Sequence, residues 1–293
     1  RSEGLDFGFQ RNGLFMLCKT EKGLKEETEA AEKARSLGIP AEILSAEETR
    51  QMEPDIQMDI IGAVYYPKDS HLHPGSLMNQ LKTLLRKRGV QFVFNTKIVD
   101  ITEEKDGEIV AFAEDQQKVE GTHIVLCTGA WTPSLANNLG LAIPMQAGKG
   151  YSITLQNPRE LPQICALLAE AKVSMTPMMG KLRFGGTMEI VGRDKSVTLA
   201  KVSALKKSVV NYFPEYTMGD LEGQNVWVGL RPCSPDGLPY VGKTDKYDHV
   251  YISTGHAMMG MSLSFSSGEL IEQLISNNQA DLAHRLISPD RYS

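Results

Sequence analysis

The sequence predicts a mixed fold in two interleaved parts: an α/β part whose buried strands run through glycine turns toward helices, and an α+β part built on an antiparallel sheet. Three observations predict it. The apolar runs "HIVLCTGAW" (123–131) and "HVYISTGHAMMG" (249–260) read as strands ending in glycine turns, the second directly before an amphipathic helix. Between them, "GYSITL", "KVSMTPM" and "KLRFGGTMEI" are strand-like pieces joined by turns and followed by one long helix, the mark of a separate antiparallel layer. A length of 293 residues suits two domains of ordinary size.

Taken in order, residues 14–17 read as a strand. "EKGLKEETEAAEKARSLG" reads as a highly charged helix with Leu24, Ala31, Ala34 and Leu37 on its thin apolar side, closed by Gly38 and Pro40. Ser45 and Glu48 have capping-box spacing and open a short helix that ends before Pro54. "GAVYYP" is a strand. Pro74 starts a helix whose inward stripe is Leu77, Leu81, Leu84 and Leu85 and which Gly89 stops. "VQFVFNTKIVDI" and "EIVAFAED" alternate as antiparallel strands, and the run 123–131 reads as a strand buried on both faces. In the later helix Val202, Leu205, Val209 and Phe213 recur at helical spacing, and Leu263, Leu270 and Leu274 face inward in the last long one.

Composition narrows the function classes. A formal net charge of -5 and a pI near 5.8 argue against a nucleic-acid surface. The one dense basic stretch, "KTLLRKRG" (82–89), ends a helix, where cations suit the dipole; contact with anionic lipid headgroups is the other reading. No apolar run approaches the ~20 residues of a membrane span, so no integral membrane segment is expected. Cys18, Cys127, Cys165 and Cys233 form no CxxC pair and have no His at ligand spacing, which points to a reducing compartment and no metal. His71 and His73 lie ahead of Pro74 without a third ligand in pattern, and no GxSxG elbow is present.

The glycine loops carry the functional signal. A helix beginning at the end of "STGHAMMG" would offer free N–H groups and a positive dipole end to an anion or a developing negative charge; a tight packing turn is the plain alternative. The Gly255 to Gly260 spacing imitates a phosphate loop, but Met261 stands where that loop needs Lys. His256 is either a polar turn residue or a base. Arg231, in "WVGLRPCSPDGLPYVG" (227–242), has two readings: a bidentate partner for a ligand carboxylate, or an internal ion pair with Asp236. No GxGxxG follows any strand.

Together, "HLHPGSL", "NTKIVDI", "HIVLCTGAWTPSL", "KGYSIT", "WVGLRPCSPDGLPYVG", "TGHAMMGMSLSFSSGELI" and "LISPDRYS" resemble, in order and over almost the whole chain, the D-amino acid oxidase-like (DAO) family of FAD-dependent oxidoreductases. "KGYSIT" tilts the resemblance toward the bacterial D-amino acid dehydrogenase small-subunit branch. The resemblance implies a partial FAD-binding domain, Rossmann-like and of the glutathione-reductase type, interleaved with an antiparallel-sheet substrate domain: substrate domain at 1–69 and 146–224, FAD-binding domain at 70–145 and 225–293. It implies that Arg231 binds the substrate carboxylate, that Gly255, His256, Ala257, Met258, Met259, Gly260 and Met261 lie along the isoalloxazine, and that Thr128, Gly129, Ala130 and Trp131 flank it. Ile98 matches the position beside the adenine, and Gly229 precedes the arginine in the cofactor set. Lys149 occupies a basic position frequent in the family. His256 is a catalytic candidate, and Tyr151 and Tyr240 are candidates for a hydroxyl to the carboxylate.

The activity so implied is FAD-dependent oxidation of a D-amino acid, by hydride transfer from Cα to flavin N5, to a 2-oxo acid and ammonia. Dioxygen and a quinone or respiratory-chain acceptor both remain open, the dehydrogenase likeness favouring the latter, in a cytoplasmic protein or one peripheral to the inner membrane. A glycine or sarcosine oxidase or dehydrogenase is the neighbouring alternative. The family opens with a strand and GxGxxG that this sequence does not contain, so the expectation is a truncated chain in which FAD is weakly held or absent; a cofactor-free binding module is the alternative of another class.

Overall fold

In the computed structural model of the protein, residues 4–104, 109–277 and 284–292 are described. Along the chain come β1 (Leu14–Cys18), α1 (Glu21–Ser36), β2 (Glu42–Ser45), α2 (Ala46–Met52), β3 (Gly62–Tyr66), α3 (Pro74–Lys87), β4 (Ile98–Glu103) and β5 (Ile109–Ala113). They are followed by β6 (Lys118–Val119), β7 (Ile124–Leu126), a 3₁₀ turn at Gly129–Trp131, α4 (Thr132–Asn138), β8 (Gln146–Leu155), β9 (Cys165–Leu168), β10 (Val173–Met178) and β11 (Lys181–Ile190). The chain ends with α5 (Leu199–Tyr212), α6 (Met218–Leu221), β12 (Val226–Cys233), β13 (Tyr240–Lys243), β14 (Val250–Thr254), α7 (Gly260–Asn277) and α8 (His284–Ile287).

These elements form two compact units. The first comprises Arg1–Val90, Gly150–Met188 and Ser196–Gly229. It holds an eight-stranded sheet of order β12-β8-β11-β10-β9-β1-β3-β2, largely antiparallel, with β1 and β9 parallel. Alternation along the strands sends Tyr151, Ile153, Leu155, Leu182 and Phe184 to one face, where Val202, Leu205 and Val209 of α5 cover them. Local signals fix the helix starts: Ser45 and Glu48 close the expected capping box on α2, and Thr20 Oγ1, which sequence reasoning did not single out, accepts from the Gly23 N–H to start α1.

The second unit comprises Gln91–Lys149, Glu189–Lys195 and Leu230–Ser293. It contains a three-stranded sheet β13-β14-β7, in which β14 and β7 run parallel and β13 antiparallel to β14, and a three-stranded meander β4-β5-β6. One core gathers Ile101, Leu126, Leu135, Tyr240 and Ile252; a smaller one packs Ile271 and Leu274 of α7 against Val241 and Tyr251.

Five expectations need correction, the simplest being Leu85, placed in the inward stripe of α3 but 37% exposed near the helix end. Helix α3 was expected with the segment 70–145, but it falls in the first unit. The reason is local: the Asp6 N–H donates to Gln80 Oε1, Ser76 Oγ donates to the Asp6 carbonyl, and the His73 N–H donates to the Phe7 carbonyl, so the helix is tied to the start of the chain. Residues 90–95 were expected as a strand and pair with no strand among the described residues; Phe92 and Phe94 stack on each other instead, 5.8 Å apart. Strand β7 was expected to be buried on both faces, yet Ile124 and Val125 are only half-buried, because β14 is its sole neighbour among the described strands. Leu37 was placed on the buried side of α1 but is 67% exposed, lying just beyond the helix end.

Candidate functional site

Strands β7 and β14 are parallel, pairing Ile124 with Val250 and Leu126 with Ile252, so the loops that follow them leave the sheet from the same edge. The carboxyl edge of parallel strands is where α/β sheets bind ligands. A chain of hydroxyls ties these two loops. Thr128 Oγ1 lies 3.0 Å from Thr132 Oγ1, which donates to Thr254 Oγ1 at 3.4 Å, and Thr254 Oγ1 reaches the Gly129 carbonyl at 3.4 Å. Thr132 and Thr254 are buried, so their hydroxyls need these partners.

The loop after β14 is shaped by left-handed backbone. Gly255 has φ +79°, and a Cβ there would come within 2.9 Å of Tyr240 Cδ2. Ala257 has φ +46°, a conformation that a residue with a Cβ seldom adopts and that needs support from its surroundings. That support comes from β12: the Ala257 N–H donates to the Pro232 carbonyl at 2.9 Å, and Cys233 forms an antiparallel bridge with His256. Arg231, on the part of β12 that belongs to this unit, is thereby one residue from the bonded rim of the loop. Burial pushes its guanidinium pKa down, the Cys233 thiol opposing the shift, so an anion nearby would be favourable.

His256 Nε2 lies 2.8 Å from Ser267 Oγ of α7, a contact that fastens the loop to the helix, and burial lowers its pKa, which favours the neutral ring. Outward from the loop stand Met258, Met259 and Met261, and Trp131 is exposed on the neighbouring one. At Gly129, with φ +55°, a Cβ would meet nothing within 4 Å, which leaves open space above the backbone.

The structure therefore brings together Thr128, Gly129, Ala130, Trp131, Arg231 and residues 255–261. It does not bring in the others. Tyr151 is 1% exposed and accepts from the Thr198 N–H at 3.1 Å; Tyr240 is 0% exposed and donates to the Pro144 carbonyl at 2.6 Å. Both hydroxyls are spent inside cores, which corrects their expected contact with a substrate carboxylate. Ile98 stands in the meander, paired with Ala113 just before a bulge. Gly229 belongs to the first unit, where the Trp227 ring lies across it. His73 is a helix cap, its Nδ1 accepting from the Ser76 N–H at 3.0 Å.

Sequence reasoning offered Asp236 as a counter-ion for Arg231, and the structure corrects this. Asp236 is gripped by both arms of Arg291, at 2.8 and 3.0 Å, which holds its carboxyl far below the usual range. The Arg291 guanidinium also donates to the Leu238, Pro239 and Ser288 carbonyls and stacks 3.8 Å from the Tyr240 ring centroid. Arg291 was missed because nothing at residues 288–292 announces a partner 55 positions earlier.

Open backbone at Gly129, left-handed backbone at Gly255 and Ala257, exposed methionines and an arginine beside them suit a flat cofactor with an anionic edge, as in a cofactor-dependent α/β enzyme. The chain belongs to the FAD dependent oxidoreductase family, DAO, whose profile matches residues 1–274. It is 29% identical to a D-amino acid dehydrogenase of Rhizobium rhizogenes over 99% of this chain and 70% of the relative, and 28% identical to one of Helicobacter pylori over 93% and 64%. The chain thus spans about two thirds of the length of these relatives. Among solved structures, the glycine oxidase of Geobacillus kaustophilus superposes with a TM-score of 0.89 at 25% identity, covering 99% of this chain and 77% of that one. No helix among the described residues is long and apolar enough to cross a membrane, and none of their His, Cys, Asp and Glu side chains cluster as a metal site.

Proposed function

We propose that the protein oxidises the Cα–N bond of a D-amino acid, with FAD held by residues 128–131 and 255–261 and the substrate carboxylate held by Arg231. The observation that carries this reading is the bonding of β12 to the glycine loop, Ala257 N–H to Pro232 carbonyl, which sets a half-buried guanidinium beside the surface best suited to the cofactor. When bound, FAD supplies the two-electron acceptor for the hydrogen on Cα. The chain's own work is orientation. Arg231 fixes the carboxylate by a two-pronged, charge-assisted bond, and the backbone at the start of α7 favours negative charge on the cofactor edge. With the amine entering neutral, having lost its proton to water, hydride loss needs no side-chain base, and the iminium product hydrolyses in water to the 2-oxo acid and ammonia. A quinone or other respiratory acceptor is the electron sink that the likeness to dehydrogenases favours.

The likeness to a glycine oxidase favours a second reading, a glycine or N-substituted glycine substrate on the same arginine. A substrate panel decides between them. The principal test is an absorbance spectrum from about 300 to 550 nm after adding FAD and removing free cofactor, the window of flavin-type cofactors. Retained flavin bands that bleach anaerobically with a D-amino acid are expected. Arg231→Ala should raise KM by about 100-fold or more, the usual cost of truncating one side of a buried charge pair, and leave the flavin bands in place. Unchanged KM overturns the role of Arg231.

A further inference from the structure

Lys149 is 1% exposed, an extreme position for an ammonium group, and the proposed reaction makes no use of it. Its Nζ lies 3.2 Å from Asp194 Oδ2 and 3.9 Å from Glu189 Oε2. Both carboxylates belong to Glu189–Lys195, a short segment that joins the second unit between two stretches of the first. The same segment also reaches the chain after β7: Arg193 Nη1 donates to Ser134 Oγ in α4 at 3.2 Å, and Lys195 Nζ stands 5.1 Å from the centre of the Trp131 ring.

The three attachments differ in strength. Asp194 is 50% exposed and Arg193 and Lys195 are exposed, so the hydrogen bond to Ser134 and the contact on Trp131 compete with water and hold little by themselves. Ordering an exposed segment costs backbone entropy, and Gly192, at φ +65° with nothing within 4 Å of a Cβ, adds to that cost. Only the Lys149 pair has one partner wholly out of water, where losing the other carries a large penalty. The buried ammonium is therefore the anchor.

We infer that Lys149 is a positioning residue: through Asp194, and beside Glu189 at the end of β11, it straps residues 191–195 over the turn after β7, so that Lys195 holds Trp131 in place beside the cofactor surface. This rests on the reading of residues 128–131 as cofactor-flanking. It adds that the indole is kept in position by a segment distant in sequence, and that Asp194, although largely exposed, controls it.

The test uses the whole chain without cofactor, then with FAD. Trypsin cuts after Arg193 and Lys195. In Asp194→Asn and Lys149→Met, cleavage at these two bonds should accelerate at least tenfold over wild type, with cleavage elsewhere unchanged. In a Trp227→Phe background Trp131 is the only tryptophan, since the sequence has two, and its emission should shift in the same variants. With FAD, the dissociation constant should rise about tenfold, a loss of 1.4 kcal/mol, and KM for the amino acid should stay put. A purely structural lysine would lower the unfolding temperature of Lys149→Met and move neither local readout in Asp194→Asn. That outcome overturns the proposal, and Asp194→Asn keeps the test readable if Lys149→Met fails to fold. Strap release with unaltered FAD affinity overturns the positioning role but leaves the family chemistry standing. Wild-type protein that retains no FAD counts against the proposed function, while cleavage and emission still decide whether Lys149 positions Trp131.

Discussion

In the first unit Phe184 and Phe213 are 0% exposed and Tyr151 is 1% exposed, whereas in the second Met258, Met259 and Phe265 stand 72%, 54% and 61% exposed. Single exposed apolar side chains are ordinary, but these lie within eight consecutive residues that begin at a strained glycine loop. The first unit consumes its apolar residues in its own core. The second keeps a set of them at the carboxyl edge of parallel strands, where a ligand's ring would cover them. The contrast separates residues that fill a core from residues left exposed at the candidate site.

The sharpest way to break that contrast is to truncate one aromatic from each unit. Phe213→Ala should cost about 3–5 kcal/mol of unfolding free energy, the usual range for emptying a packed phenylalanine site. Phe265→Ser, on the exposed side of α7, should stay within about 0.5 kcal/mol, as surface changes do. Chemical denaturation of the two variants measures both. Similar losses would mean that Phe265 is buried in solution and that the exposed surface is not a ligand surface.

A smaller effect is expected at Arg291 and Asp236, which stabilise the turn beyond β12 without touching the candidate cofactor surface. Asp236→Asn should lose roughly 2 kcal/mol at pH 7, as removal of charged hydrogen bonds does. The Asp236 carboxyl is depressed in the fold by Arg291. Its contribution is thus fully present above the unfolded value near 3.9 and is lost as pH falls below it. Asp236→Asn should therefore flatten the acid limb of the stability curve. An unchanged limb would show that the guanidinium fork is not formed in solution.

What was legible in the sequence follows the same division. Periodicity located α5 and its buried Val202, Leu205 and Val209, and the capping box located α2, because these signals act over a few residues. The glycine loops were legible as well, since Gly129 and Gly255 occupy the left-handed region that few other residues tolerate. Contacts between distant segments were not. Asp236 could have paired with either arginine, and only the fold shows that Arg291 takes it. Tyr240 lies in the same turn-rich motif as Arg231, and nothing in the local pattern says that its hydroxyl goes to Pro144. Val90 to Asn95 carry a strand's alternation without a paired neighbour among the described residues; alternation reports a preference for a sheet, not the presence of a partner.

The finest distinction concerns His256, which was a candidate for catalysis and whose ring is turned to Ser267. A residue that fastens the loop and a residue that moves a proton respond differently to the same substitution. Burial lowers the His256 pKa, so below about 6.5 the unfolded chain takes up a proton that the folded chain resists, and stability falls as the solution is acidified. His71 in the first unit is lowered by burial too and contributes with the same sign, so His71→Gln supplies the reference. Relative to it, His71→Gln with His256→Gln should flatten the stability profile below about pH 6.5, because the second titration is gone. Ser267→Ala should cost about 1 kcal/mol, the net value of one hydrogen bond. In kinetics, fastening predicts that Ser267→Ala and His256→Gln weaken FAD retention together and lower kcat only a few-fold. A general base would cost about 100-fold or more in kcat for His256→Gln alone, with FAD retained and Ser267→Ala nearly silent. That second pattern would return His256 to the chemistry, and with it would go the view that the reaction here needs orientation and no base.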